Sequence, residues 1–343
     1  MKSMKNIISI LLTLIIFFNL VPSTFASTND ENLNNNLDLV YEENYSDAAR
    51  QLELLYELGY IEEIVTEESL KEAAQVLTLD NDEVLSEGTY LVGIDTSKQE
   101  LIDTNEIIEE ATLRNSSSVD TNADISELKS SLLWYTVAFK TWITGAETTS
   151  SKVNHSVEVT GVFGVGARPT NYTIQARIKR ATSQNGSYSD AVNQTKTVGL
   201  KSVVTVSTPI ASTYFWKSDS DAWANYPDGS FHAEAKQEGP WLLNKKGLKY
   251  PEYTDPVSGK VLAKPASTTW SKTSTAGCAL TSSERTTYRD WYDNKYKPLD
   301  WVGNYEIHHV KPCLYGGNKD YSNLIVLPKS FHRSVVSPWW TNY

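Results

Sequence analysis

Hydrophobic and polar positions change their period several times along the 343 residues, and each change marks an element. Ile7 to Leu20 is an apolar run broken only by Ser9, Thr13 and Asn19, and Lys2 and Lys5 precede it. It is shorter than the roughly 20 residues a membrane-spanning helix needs. Pro22 and the small residues around Ala26 follow, so residues 1–26 read as a secretory signal peptide cleaved after Ala26. A secreted, extracellular protein is expected, with no membrane association after cleavage. Residues 27–39 are polar and Asn-rich and read as a disordered leader. Helical spacing comes next. Ser46 can cap a helix with Leu52, Leu55, Tyr56 and Leu58 on one side, stopped by Gly59. Thr66 can cap a second, with Leu70, Ala73, Ala74 and Leu77 apolar and Glu67 and Glu68 in its first turn, where the helix dipole favours them. Both read as packing elements, or as a docking or pro-region, and carry no chemistry.

Residues 111–129 are rich in Ser, Asn, Asp and Thr and read as a linker. From about Leu132 to Ala235 the period becomes two. Val157, Val159, Gly161 and Phe163 alternate with Ser156, Glu158 and Thr160. Tyr172, Ile174, Ala176 and Ile178 alternate with Thr173, Gln175, Arg177 and Lys179, and Val198, Leu200, Ser202, Val204 and Val206 continue the theme. Asn185-Gly186 is a hairpin signal between two such runs. These patterns predict an antiparallel β-sandwich. Its aromatics Trp134, Trp142, Tyr214, Trp216 and Trp223 are core residues or, in the sharper reading, a sugar- or wall-binding face.

The expected fold class is therefore α+β and multidomain. Residues 1–26 are the signal peptide and 27–129 an acidic helical region with leader and linker. Residues 130–239 form the β-sandwich-like domain, and 240–343 a separate C-terminal domain. Charge follows this division. The chain carries a net charge of -11, yet from Trp241 onward fourteen Lys and Arg outnumber eight Asp and Glu, whereas from Ser27 to Pro240 fifteen meet thirty-four. A basic end on an acidic chain favours a polyanionic partner. The only cysteines are Cys278 and Cys313; export permits a disulfide between them, and a free buried pair is the alternative.

Three of the five histidines fall in one stretch: Tyr305-Glu-Ile-His-His-Val-Lys-Pro312, Gly316-Gly317, Asn323-Leu-Ile-Val-Leu-Pro328 and Phe331-His332-Arg333. Adjacent histidines on a strand point to opposite faces. Pro312 ends that strand, Gly316-Gly317 permits a tight loop, Asn323 to Leu327 returns as a second strand, and His332 opens a helix. Arg285, Arg289 and Trp291 precede the motif, where a short helix is expected.

This ordered set, over about residues 285–343, resembles the HNH or ββα-metal endonuclease family, especially the nuclease colicins and the nuclease ends of bacterial polymorphic toxins. The extended stretch 240–300 and the closing Pro338-Trp339-Trp340 are similar to those toxin ends. The resemblance implies a C-terminal ββα-metal nuclease domain. It implies His309 as general base, His308 and His332 as ligands of one divalent ion, Asn323 as the brace of the hairpin and Glu306 as an acidic support. Arg285, Arg289, Lys311 and Arg333 are the implied nucleic-acid contacts. Val336 stands where the colicins carry a further helix histidine, and Val302 where they carry an arginine. With one ligand from each element, Mg²⁺ or Mn²⁺ is favoured over Zn²⁺ or Ni²⁺.

The function expected is a secreted endonuclease that hydrolyses DNA phosphodiesters with low sequence specificity, as an antibacterial toxin with an acidic immunity protein for partner or as a plain extracellular nuclease. RNA is the other substrate candidate. The competing class is a surface- or wall-binding protein with a non-catalytic HNH-like terminus.

Overall fold

The computed structural model describes residues 45–61, 66–75, 82–116, 130–232, 236–275 and 277–343. The signal peptide and the leader lie outside the described residues. The chain is α+β, with antiparallel sheets dominating and few helices. In chain order the elements are α1 Tyr45–Glu57, α2 Glu67–Gln75, β1 Glu83–Asp95, β2 Glu100–Ile102 and α3 Thr104–Ser116. They continue as β3 Leu132–Thr144, β4 Lys152–Gly164, β5 Asn171–Ala181, β6 Ser189–Val198, β7 Val203–Pro209, β8 Tyr214–Tyr226, β9 Gly229–His232 and β10 Lys236–Leu243. The last are α4 Ser282–Lys295, β11 Tyr305–His309 and β12 Leu324–Pro328, with a terminal helical segment after them.

One five-stranded sheet has the order β2-β1-β3-β4-β7, and a second runs β10-β8-β5-β6 with β9 on β8. Their inner faces share one core, in which Val137, Val157, Val159 and Val204 of the first sheet meet Ile174, Ala176, Ile178 and Trp216 of the second. The alternation read in β5 is therefore real: Tyr172, Ile174, Ala176 and Ile178 are buried and the residues between them are half-exposed. Leu200 departs from the pattern, because it lies in the turn between β6 and β7 and is exposed. Asn185-Gly186 does sit in the connection between β5 and β6.

Three local expectations are corrected. Residues 83–95, expected inside a helical region, form β1, paired along its length with β3. Residues 111–116 are the end of α3 rather than linker. The strand β10 crosses position 240, so the basic segment begins inside the second sheet.

Helices α1 and α2 cover the outer face of the first sheet. Leu52 and Leu55 pack with Leu132 and Trp134, while Ala48, Ala49, Leu70 and Ala74 pack against Ala138. Each fully buried leucine stabilises this cover by roughly 1.5–3 kcal/mol. Tyr56, expected on the apolar side of α1, is exposed, and Leu77 lies outside the described residues. Gly59 stops α1 with φ 72°, and Thr66 Oγ1 accepts from the Ser69 amide at the start of α2. Trp134, Trp142 and Trp216 are buried, which leaves only Tyr214 and Trp223 of the aromatic set partly accessible.

The outer face of the second sheet is covered by the C-terminal residues. Phe215 and Leu242 share a cluster with Tyr250, Leu262, Tyr315, Ile325, Leu327, Val336, Trp339 and Trp340. A smaller cluster joins α4, through Tyr288 and Tyr292, to Ile307, Leu324 and Val326. The hairpin β11–β12 is thus held between two apolar layers, one on each face.

Candidate active site

Strand β11 presents its side chains alternately, and this decides which groups meet. Ile307 packs toward α4, and His309, two residues on, shares that side. Glu306 and His308 take the other side, toward the terminal helical segment. That segment is one α turn, Lys329–Phe331, a wider π turn, His332–Val336, and a last α turn, Ser337–Thr341. The π turn falls where Pro338 has no N–H to give to the carbonyl of Ser334.

On the helix side His308 Nδ1 is 3.0 Å from His332 Nε2, and His332 Nδ1 is 2.8 Å from the carboxylate of Glu306. Arg333 makes three contacts to the same carboxylate, through its Nε to both oxygens at 3.1 and 3.3 Å and through its Nη2 to Oε1. A carboxylate behind a histidine fixes the tautomer with the proton on Nδ1, which turns the lone pair of His332 Nε2 toward His308. Burial pushes the pKa of His308 down to about 3, and the neighbouring His332 and His309 add to the effect. His308 is therefore neutral at pH 7, as a ligand must be. Its Nε2 is buried and has no hydrogen-bond partner, so this is not an ordinary satisfied core histidine. Burial works to raise the pKa of Glu306, but the hydrogen bonds and charges of Arg333 and His332 outweigh it and hold the carboxylate ionised.

This donor set fits a divalent cation. The 3.0 Å spacing suits a hydrogen bond between neutral rings and also suits two nitrogens sharing one ion at about 2.1 Å each. Val336 is fully buried among Tyr250, Ile325 and Trp339, so it is a packing residue and the helix supplies one histidine.

On the opposite side His309 is half-buried. Burial lowers its pKa; a hydrogen bond to the backbone of Cys278 opposes this, and the charges of Arg285 and Lys319 lower it further. Its Nε2 is 3.6 Å from Cys313 Sγ. Cys278 and Cys313 are joined in a disulfide, which settles the open question of their pairing and links the stretch before α4 to the loop after β11. Together with His309 they form the one group of three or more potential metal ligands found within reach of each other among the described residues, but the bonded sulfurs are not free thiolates.

Asn323 closes the β11–β12 loop. Its side-chain oxygen accepts from the Lys311 amide at 2.8 Å, and its Nδ2 donates to the carbonyls of Lys311 and Asn318 at 3.1 and 2.9 Å. Gly316 adopts φ 81°, and a Cβ on Gly317 would lie 1.8 Å from the Lys311 oxygen, so both glycines are needed for the loop to close.

The implied nucleic-acid contacts are dispersed. Arg285, on the first turn of α4, directs its charge at His309. Arg289, one turn on, lies over the ring of Trp301 at 5.6 Å. Lys311 lies over Trp270 at 4.7 Å, and Arg333 is engaged with Glu306. Lys319 went unnoticed in the sequence. It pairs with Glu284 at 2.7 Å, while Glu284 completes the capping box of α4 with Thr281. The available signal was Asn323, because the loop it closes brings residues 318–320 back beside β11.

Among the described residues no helix is long and apolar enough to cross a membrane. Comparison of the chain with protein-family models, with curated proteins and with solved structures finds no match.

Proposed function

We propose that this chain is a metal-dependent endonuclease of the HNH, ββα-metal kind, which hydrolyses DNA phosphodiesters with little sequence preference. The observation that carries the reading is the meeting of His308 and His332 with Glu306 behind them, on a hairpin followed by a helical turn. His308 and His332 hold one divalent ion, Mg²⁺ or Mn²⁺ ahead of Zn²⁺ or Ni²⁺. When bound, the ion supplies positive charge to the scissile phosphate and to the departing 3′ oxygen.

The remaining roles belong to the chain's own side chains. His309, neutral at pH 7, takes the proton from the attacking water. The water oxygen bonds to phosphorus as the bond to the 3′ oxygen breaks, and the 3′ oxygen regains a proton from solvent. Arg285 and Lys319 set positive charge beside His309, where a phosphodiester must come. Arg333 and Glu306 orient His332. Asn323 and Gly317 fix the loop that follows His309. Such contacts address the phosphate backbone rather than the bases, hence the low sequence preference.

The basic end following an acidic remainder suits an exported antibacterial toxin with an acidic immunity protein as partner. The test is incubation of supercoiled plasmid with the chain and Mg²⁺ or Mn²⁺, beside an RNA substrate. Nicking and linearisation that EDTA abolishes are expected. Plasmid left intact with every divalent metal would retire the reading.

A further inference from the structure

We propose that Cys278, Cys313 and His309 form a second metal site, closed while the disulfide is intact and opened by reduction, which takes a zinc-type cation. It goes beyond the nuclease reading, because its donors are distinct from His308 and His332.

The three side chains already converge while the disulfide is closed. The ligand atoms of the three residues all lie within 4.8 Å of one another. His309 Nε2 is 3.6 Å from Cys313 Sγ. A zinc ion bound at about 2.3 Å to sulfur and about 2.0 Å to nitrogen, at the tetrahedral angle, holds those two atoms about 3.5 Å apart. The two cysteine Cα atoms are 5.4 Å apart, near enough for both thiolates to reach one ion by rotation about their Cα–Cβ bonds. Water takes the fourth position.

Contacts other than the disulfide hold the walls of this site together. The Thr273 amide donates to the Leu314 carbonyl at 2.7 Å. Lys319 ties the loop to Glu284 on α4 at 2.7 Å, and the capping box anchors Thr281. Cys278 is buried and Cys313 half-buried. The chemistry balances with an external dithiol as reductant. The S–S bond breaks, two thiols form with the dithiol's two protons and two electrons, and the dithiol closes to its own disulfide. The cation then displaces both thiol protons. Thiolate sulfur selects zinc over the hard ions that suit a phosphate-bound site. If His309 is the base of the nuclease reading, the loaded state withdraws it; that consequence rests on that reading, and the site itself does not.

The test uses Co²⁺ as the probe. The chain is reduced with dithiothreitol, desalted under anaerobic conditions and titrated with Co²⁺, beside the oxidised chain. Reduced protein is expected to show thiolate-to-cobalt charge transfer in the near ultraviolet, saturating at one equivalent and displaced by Zn²⁺, with the tyrosine and tryptophan circular dichroism bands retained. Oxidised protein shows none. Reduced His309→Ala retains the thiolates and is expected to give a shifted spectrum with affinity at least tenfold weaker. Absence of charge transfer in the reduced chain, loss of its tertiary circular dichroism, or a spectrum identical in His309→Ala each overturns the proposal. None of these readouts requires the protein to cut DNA.

Discussion

His308 and His332 are 24 positions apart in sequence, yet their Nδ1 and Nε2 atoms stand 3.0 Å from each other. Glu306 makes this possible. It lies two residues before His308 on the same side of β11 and grips the far nitrogen of His332 at 2.8 Å. Removing that grip should free the His332 ring without removing a ligand. Glu306→Gln is expected to raise the Mn²⁺ concentration needed for half-maximal cleavage about 10- to 100-fold. Calorimetric titration of Mn²⁺ into the variant checks the same point without DNA.

The loop after β11 should be sensitive at Asn323. Its side chain makes three hydrogen bonds to main-chain groups of Lys311 and Asn318. Asn323→Ala is expected to cost about 1–3 kcal/mol in urea unfolding and to slow cleavage. Asn323→Asp should fare no better, because a carboxylate would face two carbonyl oxygens.

Gly317→Ala tests the same loop by steric means. Its new Cβ would meet the Lys311 oxygen at 1.8 Å, a clash with main chain that no rotamer relieves. Destabilisation of roughly 1–3 kcal/mol is expected. Gly229→Ala is the control for lost chain entropy: its φ, like that of Gly317, lies outside the left-handed region, and no atom lies within 4 Å of the added methyl. The gap between the two variants in thermal unfolding measures the clash.

Stability should fall in mild acid for a reason away from the candidate site. His155 on β4 is fully buried between the sheets, with Nδ1 2.9 Å from Thr141 Oγ1 and Nε2 3.0 Å from Ser220 Oγ. Burial pushes its pKa down to about 4 from an ordinary 6.5. The unfolded chain therefore binds a proton that the folded chain refuses between those values. This contribution is full above pH 6.5 and is lost as the pH falls toward 4, on the order of 3 kcal/mol in all. Urea midpoints measured from pH 7.5 to 4.5 should show this slope, and it should flatten in His155→Gln.

The sequence made the hairpin legible because every residue in it has a local job. Pro312, Gly316-Gly317 and Asn323 punctuate the loop, and the β12 run Leu324–Leu327 is apolar because both of its faces are buried. The period-two strand β5 was equally plain. In β4 the alternation holds only as far as Val159: a bulge opposite Thr136 and Val137 turns Phe163 to the outer face, beside Leu52 and Trp134, and leaves Val162 toward the shared core. Strand β1 was not plain, since Leu85 to Asp95 mixes Gly88 and Gly93 with a near-continuous apolar run; Gly93 is small because Ile102 and the Trp134 ring lie where its Cβ would be. The covering role of α1 and α2 could not be read either. Their apolar stripes are explicit, but the partner face of β3 is nearly continuous hydrophobic sequence and does not say which side is left for helices. Within the candidate site, the opposite faces of His308 and His309 followed from strand alternation, and the meeting of His308 with His332 was only what the family resemblance implied. The charges around His309 did not follow, because Arg285 reaches it through the packing of α4 on the hairpin and Lys319 through the folding back of the loop that Asn323 closes.

The most direct test is the Mn²⁺ dependence of plasmid cleavage by the unaltered chain, His332→Ala and His309→Ala. The roles assigned here require a split. His332→Ala should need at least tenfold more Mn²⁺, whereas His309→Ala should keep the Mn²⁺ requirement and lose at least a hundredfold in rate. Cleavage by all three with the same rate and the same Mn²⁺ requirement would contradict the account.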